Sequence, residues 1–358
     1  MTSIYTTVLI IAGVLFAALV AVVLIYAILY LPKIRTIFSL YQLSDSEEDN
    51  GYHLYYMDYK ADYKLDKILK AGAGDTDGFS RLARETLLPG TSIRMKPVKI
   101  ECSACLTKDA DGQYMMGRNF DLYDTSCVAV HTYPKNGYES IGFSNLSYMG
   151  IDRADTPVGR LLSLLLPYTT MDGINEKGFA CCMLWLDDAP TVQSTGKTPI
   201  TTTVAQRLLL DRAATVEEGI ALLSSYDMRS VSGGDYHFYL TDADGNSAIV
   251  EWPEPSKEMV VIRDVETVTN FFLCDVPDGV NVGHGQDRRE AMEKKLDELG
   301  HTADVNGTFR ILESAQQTVR TEVSGTTQWS SVYQLKKRRA NFVFRRRWDR
   351  VFTFDFDS

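Results

Sequence analysis

The chain has 358 residues, of which 45% are hydrophobic and 23% are charged, a composition that supports one large or two small folded domains. Its formal net charge of −10 excludes a general nucleic-acid-binding protein, because binding to phosphates requires a basic surface. The six cysteines fit either a reducing or an oxidising compartment.

The first predicted element is an apolar helix near the N-terminus. Residues 8–30 carry no charged side chain, and a helix of this length crosses the roughly 30 Å hydrocarbon core of a bilayer. The stretch is too long for a typical cleaved signal peptide and lacks its basic leading region. We therefore predict a tail and transmembrane anchor at 1–31. Lys33 and Arg35 follow the span and favour a cytoplasmic side for the rest of the chain.

A linker and a short helical region are predicted next. Residues 32–50 form the juxtamembrane linker, which ends in the acidic run 44–50. Apolar residues at helical spacing predict a helix that ends near Gly72, and residues 79–89 allow a second one. Residues 98–100 then lead as a strand into the first cysteine.

A β-hairpin is predicted around the polar turn 108–112, because its Asp-Gly pair lies between two apolar runs. The fold-back brings Cys102, at the start of the first strand, beside Arg118 and Asp121 at the end of the second. A guanidinium lowers the pKa of a nearby thiol and a carboxylate holds a nearby amine. These three residues therefore define a candidate nucleophile site.

The residue types alone leave other roles open for Cys102. A cysteine in a strand is most often a small buried hydrophobic residue. Cys102 and Cys105 also have the spacing of a redox or zinc-binding pair. Zinc needs a second matching pair, which the adjacent Cys181 and Cys182 do not readily supply, and a redox pair normally opens a helix. We expect no metal and no cofactor.

The rest of the chain alternates strands with separate helices. Strands are predicted at 128–132, 139–146, 179–185, 236–240, 247–252, 327–333, 341–344 and 351–354, and helices at 203–212, 216–226 and from 285 onward. Thr215 and Glu218 form a capping box at the start of one of these helices. His237 lies in an aromatic strand and is interpreted as structural. The basic residues near 336–347 are interpreted as flanks of the last hairpin.

Three short motifs together resemble the N-terminal nucleophile signature of the choloylglycine hydrolase family. They are Cys102-Ser103, Asp111-Gly112 and the run Gly117-Arg118-Asn119-Phe120-Asp121. The distances of Arg118 and Asp121 from Cys102 along the chain match as well, whereas Cys105 fits neither. From about residue 50 onward the chain is similar to the branch with acyl-coenzyme A:isopenicillin N acyltransferase and the linear amide C-N hydrolases.

This resemblance implies an α+β fold of four layers, αββα, the N-terminal nucleophile hydrolase fold, with two antiparallel sheets between helices. It also implies that the bond between Glu101 and Cys102 is cut by the chain itself, so that Cys102 gains a free α-amine. Residues 51–101 would be a pro-segment that remains as a short α-chain, and 102–358 the catalytic domain. Many relatives have a small residue where this chain has Glu101.

The resemblance also implies catalytic roles for charged residues of the site. Asp121 would hold the α-amine of Cys102, and Arg118 would stabilise the thiolate. Arg288 matches the late active-site arginine of the family, and the adjacent Arg289 is the alternative.

An oxyanion hole is implied in the same way. Asn270, in a Thr-Asn element, would donate from its side-chain amide, and Trp185 would donate its backbone N–H. The family usually has Asn or Tyr at the position of Trp185, so the pocket wall is expected to differ here.

The activity implied is hydrolysis of carbon–nitrogen bonds in linear amides, with a small N-acyl amide as substrate and the membrane contacted through residues 8–30. Acyl transfer to an amine or thiol is an alternative from the same fold. An alternative of a different class is a catalytically silent, uncut module that binds acyl groups. The sequence does not indicate an oligomeric state.

Overall fold

The computed structural model describes residues 2–44, 49–91, 101–231, 233–320 and 325–356. Part of the expected acidic run and the expected strand at 98–100 lie outside these ranges. The helices are α1 (Thr2–Ser39), α2 (Leu65–Ala71), α3 (Thr76–Leu87), α4 (Pro157–Leu162), α5 (Thr202–Arg212), α6 (Val216–Ser224), α7 (Gln286–Glu298) and α8 (Val305–Ser314), with 3-10 turns at Leu146–Met149 and Ser163–Tyr168.

The strands follow in chain order and form two large sheets. They are β1 (Tyr41–Gln42), β2 (Leu54–Tyr59), β3 (Glu101–Lys108), β4 (Tyr114–Leu122), β5 (Cys127–Thr132), β6 (Ser140–Asn145), β7 (Thr170–Asn175), β8 (Ala180–Leu186), β9 (Pro199–Thr201), β10 (Asp227–Arg229), β11 (Asp235–Thr241), β12 (Ser247–Glu251), β13 (Val260–Arg263), β14 (Thr267–Val268), β15 (Asn270–Phe271), β16 (Gly283–His284), β17 (Thr326–Gln334), β18 (Arg339–Phe344) and β19 (Val351–Asp355).

The larger sheet has nine strands in the order β1-β2-β5-β6-β7-β8-β11-β12-β13, and the smaller has six in the order β14-β3-β4-β17-β18-β19. Neighbours within both sheets are antiparallel except β2 and β5, which run parallel. A parallel pair needs a long crossover connection, and the helices and the β3–β4 hairpin between β2 and β5 provide it. The expectation of purely antiparallel sheets was therefore wrong at this one pair.

The two sheets pack face to face, and helices cover their outer faces. Helix α5 packs on β7 and β8 of the nine-stranded sheet, while α8 packs on β4 and β17 of the six-stranded sheet. Between the sheets, the rings of Phe143 and Phe342 stack with centroids 4.1 Å apart. Strands buried on both faces read as nearly continuous apolar runs, and β8 is such a strand.

Helix α1 is both an apolar span and part of the folded domain. Ile10–Ile28 is long and apolar enough to cross a membrane, with a mean hydropathy of 2.9 and no burial against the protein. The helix continues past residue 31 to Ser39. At this end, Thr36 Oγ1 accepts the backbone N–H groups of Lys60 and Ala61, each at 2.9 Å. The end of the helix is thus fixed to the domain.

Candidate active site

The predicted hairpin is confirmed and positions the candidate nucleophile. Strands β3 and β4 pair in register, with Cys102 opposite Phe120. At the turn, Asp109 Oδ1 accepts the N–H groups of Asp111 and Gln113. Gly112 has a φ of 75°, which L-residues rarely adopt, so the Asp-Gly pair is what the turn requires.

Cys102 and Cys105 leave β3 on opposite faces, as side chains three positions apart in a strand must. The Cys102 Sγ lies 3.9 Å from the carbonyl oxygen of Met183, on the nine-stranded sheet. Cys105 packs on the other side with Met292 and Leu312 of helices α7 and α8. This geometry rules out a redox pair. No group of three or more His, Cys, Asp or Glu side chains with metal-binding geometry occurs among the residues described.

Arg118 lies directly beside the Cys102 thiol. Its Nη2 is 3.0 Å from Cys102 Sγ and 3.1 Å from the Met183 carbonyl oxygen. Its Nη1 donates to Asp172 Oδ1 on β7, and both side chains are fully buried. The guanidinium is therefore held between the two sheets with one edge turned toward sulfur.

Asp172 is a site residue that the sequence did not reveal. Besides Arg118, it accepts hydrogen bonds from Trp329 Nε1 at 3.2 Å, Ser331 Oγ at 2.8 Å and the Tyr333 hydroxyl at 2.5 Å. No strand is predicted at this position from the sequence, whereas Asp172 belongs to β7. These three donors come from β17 of the facing sheet, so only the packing of the sheets brings them together.

The Cys102 thiol is neutral at physiological pH in the uncut chain. Complete burial raises its pKa to about 12, and the opposing effect of Arg118 is smaller. Arg118 does lower the pKa of the thiol, as expected of a guanidinium, but burial outweighs its effect. Burial removes water from the thiolate, and one cation does not replace it.

Arg288 is the arginine that enters the site. Its Nη1 donates to the Cys102 carbonyl oxygen at 2.9 Å and lies 3.3 Å from Asp121 Oδ2. Its Nη2 donates to Asn270 Oδ1 at 2.7 Å. Arg289 instead pairs with Glu293 on the same helix at 2.7 Å. The structure thus places Arg288 at the nucleophile and Arg289 away from it.

Asp121 is fully buried near the bond between Glu101 and Cys102. It pairs across the hairpin with Glu101, and its Oδ1 accepts from Thr327 Oγ1 at 2.6 Å. Burial raises the pKa of Asp121 to about 6, although Arg288 and the Thr327 hydroxyl both act in the opposite direction. Asp121 thus lies opposite the residue before Cys102, and its contact with an α-amine of Cys102 stays a prediction.

Asn270 contacts both the nucleophile and Trp185. Its Oδ1 accepts the backbone N–H of Cys102 at 2.9 Å, and its Nδ2 donates to the Trp185 carbonyl oxygen at 2.7 Å. The Trp185 ring packs edge-on against Tyr236, with centroids 5.3 Å apart. The two expected oxyanion residues are therefore neighbours, and their contact runs through the Trp185 carbonyl. Donation by the Trp185 N–H stays a prediction.

His237 holds the backbone next to Asn270. Its Nδ1 lies 2.9 Å from Glu251 Oε1 and its Nε2 lies 2.8 Å from the Thr269 carbonyl oxygen, so both ring nitrogens have partners. Glu251 also accepts the backbone N–H groups of Leu273 and Cys274. This buried pair fixes the backbone on both sides of Asn270, which agrees with the structural interpretation of His237.

The Cys102 side chain is fully buried in the continuous chain, with no exposed surface. A cavity of about 400 Å³ is lined by its neighbour Glu101 together with His284, Arg288 and residues 316–319.

The solved structures that resemble this one have an N-terminal nucleophile hydrolase-like fold. A mutant conjugated bile acid hydrolase from Clostridium perfringens is 18% identical, with a TM-score of 0.53 over 72% of this chain and 92% of that one. Penicillin V acylase from Agrobacterium tumefaciens is 19% identical, with a TM-score of 0.54 over 72% and 87%. At this identity they define the fold class, mixed helix and sheet, and no more.

Sequence comparison finds a family match for part of the chain. Residues 102–271 match the model of the linear amide C-N hydrolases, choloylglycine hydrolase family. Penicillin V acylase from Pectobacterium atrosepticum is 31% identical over 118 residues, which are 30% of this chain and 31% of that protein. The match thus spans about a third of the relative's length. The matched family segment begins at Cys102.

Proposed function

We propose that this protein is a cysteine amidohydrolase that cleaves carbon–nitrogen bonds of linear, small-molecule N-acyl amides through an acyl-thioester on Cys102. The observation that carries the proposal is the position of Arg118 Nη2, 3.0 Å from Cys102 Sγ. A buried guanidinium stabilises an anion at that atom. The named relatives, a bile acid hydrolase and two acylases, support the class of reaction.

The enzyme first cuts itself. The Cys102 sulfur attacks the Glu101 carbonyl carbon, the bond to the Cys102 nitrogen breaks, and that nitrogen leaves as the free α-amine. Water then hydrolyses the resulting thioester. The thiol proton passes to the departing nitrogen, so the cut itself supplies the adjacent base that the thiol lacks in the intact chain. An α-amine, with a pKa near 7.7–8.0, is suited to that role.

Turnover follows the same chemistry with an external amide. The α-amine of Cys102 takes the thiol proton, and the thiolate attacks the substrate carbonyl. Asn270 and the Trp185 N–H hold the oxyanion, and losing such a donor typically costs about 3 kcal/mol. The leaving amine takes a proton, and water releases the acyl group from sulfur. Asp121 holds the α-amine and Arg288 shapes the backbone at Cys102.

The proposal also includes a membrane anchor and a retained N-terminal segment. Residues 8–30 anchor the protein in a membrane, and 51–101 stay packed on the four-layer domain after cutting. A signal sequence near the N-terminus passes the same test of helix length and hydropathy, so anchoring is proposed together with retention of this segment. Lys33 and Arg35 favour the cytoplasmic side.

An amide hydrolysis assay on two matched cysteine variants tests the proposal. Cys102→Ala is expected to abolish both cutting and hydrolysis, whereas Cys105→Ala, on the opposite face of the same strand, retains both. Adding an amine acceptor separates hydrolysis from acyl transfer. Hydrolysis by the Cys102→Ala protein at the rate of the original chain would overturn the mechanism.

A further inference from the structure

Glu101 occupies a polar pocket of its own beside the cleavage position. Its side chain is only 7% exposed. Its Oε1 lies 3.0 Å from His284 Nε2, and its Oε2 accepts a hydrogen bond from Gln317 Nε2. Arg288 Nη2 is 3.9 Å from the same Oε2. The Glu101 carboxylate thus accepts a hydrogen bond from Gln317 and lies within ion-pair distance of His284 and Arg288.

This pocket is suited to a carboxylate. Burial raises the pKa of Glu101, but His284, Gln317 and Arg288 together outweigh it, so the net pKa lies below the usual value. A buried charge is tolerated only when it is paired and hydrogen-bonded. The donors around Glu101 therefore stabilise the ionised form of this side chain at neutral pH.

The pocket and the nucleophile share one residue. The Arg288 guanidinium donates to the Cys102 carbonyl oxygen with Nη1 and faces the Glu101 carboxylate with Nη2. The two side chains leave β3 on opposite faces, so the pocket is reached at the end of the strand and not across the sheet. A group held in the pocket lies on the acyl side of the bond that Cys102 attacks.

In the self-cleavage reaction, Glu101 is the acyl donor. Its carbonyl carbon receives the sulfur, and its carboxylate lies four carbons further along the side chain. The same arrangement of atoms, without the α-amine, is a glutaryl group. Glu101 is thus the acyl part of an intramolecular substrate. The residues around its side chain indicate where the acyl part of an external substrate would bind.

We infer that the pocket formed by His284, Arg288 and Gln317 binds the acyl group of the substrate and selects short acyl groups that end in a carboxylate, with glutaryl as the matching length. The inference rests on the proposed function, which it deepens by naming the substrate class. After cutting, the Glu101 side chain moves out of this pocket while helices α2 and α3 stay packed on the domain, and the vacated position adjoins the existing cavity of about 400 Å³.

The test compares three chromogenic amides of equal chain length on the cut, full-length protein in detergent. They are the 4-nitroanilides of glutaric acid, of its monoamide and of pentanoic acid. The glutaryl amide should have the highest kcat/KM, by roughly tenfold over pentanoyl, as expected for a charge-assisted hydrogen bond in a mostly buried site.

Variants identify the residues responsible. His284→Ala and Gln317→Ala should each lower the glutaryl-to-pentanoyl ratio of kcat/KM several-fold, and this ratio does not depend on how much of a variant folds. His301→Ala, which removes a surface histidine outside the pocket, should leave the ratio unchanged. Replacing Glu101 by leucine, of similar volume and no charge, should slow self-cleavage.

Three results decide between the inference and the proposed function. A pentanoyl amide turned over as fast as the glutaryl amide, or an unchanged ratio in His284→Ala and Gln317→Ala, overturns the inference and leaves the amidase standing. Self-cleavage of Glu101→Leu at the original rate also overturns it. An uncut chain that hydrolyses none of the three amides overturns both.

Discussion

At the scale of single residues, the electrostatics of Cys102 depend on what holds Arg118. Asp172 receives Arg118 and three uncharged donors from β17, so its carboxylate is fully satisfied without water. This leaves the second edge of the guanidinium turned toward the sulfur. Asp172 is therefore a positioning residue, which acts on the thiol through Arg118.

Replacing Asp172 by Asn should affect both stability and reactivity. Removing one partner of a buried ion pair costs about 3–5 kcal/mol, because the other charge stays buried. We expect urea unfolding in detergent to show that loss, and self-cleavage to slow because Arg118 turns away from sulfur. Asp211→Asn breaks the buried pair with Arg207 elsewhere and serves as the control. It should destabilise similarly without slowing cutting, and equal cutting rates in both variants would contradict the role of Asp172.

The pH dependence of cutting should report on Asp121. Its pKa of about 6 in the folded chain lies above the usual range, so it is ionised at pH 7.5 and takes up a proton as the pH falls through about 6. Protonation removes the ion pair with Arg288, which holds the Cys102 carbonyl. We therefore expect the cutting rate to decrease below about pH 6, measured from the appearance of two fragments between pH 5 and 8.

The Thr327 hydroxyl provides the matching variant. Its hydrogen bond lowers the pKa of Asp121, so Thr327→Val should raise that pKa and move the decrease in cutting rate to higher pH. A profile that stays in place or moves to lower pH would show that Asp121 does not control the step.

At the scale of secondary-structure elements, the short segment β14–β15 brings Asn270 to the nucleophile. Two buried side chains hold the backbone on either side of Asn270. His237 Nε2 contacts the Thr269 carbonyl oxygen, and Glu251 accepts the backbone N–H groups of Leu273 and Cys274. The placement of Asn270 thus depends on the buried contact between His237 on β11 and Glu251 on β12.

Glu251→Gln should therefore weaken stabilisation of the oxyanion while leaving the reactivity of the Cys102 thiol nearly unchanged. An amide keeps the volume but loses the charge and one acceptor oxygen, which we expect to cost about 1–3 kcal/mol of stability. Amide turnover should decrease about tenfold or more, in line with a displaced oxyanion donor. Alkylation of Cys102 by iodoacetamide in the cut enzyme should change little. Turnover that is retained in full would contradict the positioning role of this pair.

Local signals in the sequence predicted local elements well. The Asp-Gly pair predicted the β3–β4 hairpin and hence the approach of Arg118 to Cys102. The capping box at Thr215 predicted the start of α6, where its side chain accepts the N–H of Glu218. Helix α8 was missed although Asp304 caps it by accepting the N–H of Gly307. This capping residue could have predicted the start of α8 from the sequence.

Contacts between distant segments were not predictable in this way. Asp172 meets Tyr333 and Arg118 only because two sheets face each other. Glu251 meets His237 across the β11–β12 hairpin, and nothing in the spacing shows that both are buried. The net pKa of Cys102 also depends on burial, which the run of residues around it does not reveal.

At the scale of the whole molecule, α1 joins the apolar span to the domain without a flexible joint. Its last turns are bonded to the domain through Thr36, Ser39 and Lys33, whose Nζ donates to the Leu87 carbonyl oxygen at 2.9 Å. If the span lies in a bilayer, the domain has a fixed orientation next to it.

Flotation with liposomes tests the anchor. The full chain should rise with the lipid, and a chain lacking residues 2–31 should stay at the bottom while keeping its hydrolytic activity, because the contacts of Lys33, Thr36 and Ser39 remain. Mass spectrometry of the purified full-length product is the control. A mature N-terminus beyond residue 30 would identify the span as a removed signal sequence.

The most direct test of the account is the N-terminal sequence of the purified protein after denaturing electrophoresis. The account predicts two fragments, the larger of which begins Cys-Ser-Ala-Cys at residue 102, and a single intact chain for Cys102→Ala. An unmodified protein that remains one chain while hydrolysing amides, or a Cys102→Ala protein cut at the same bond, would contradict it.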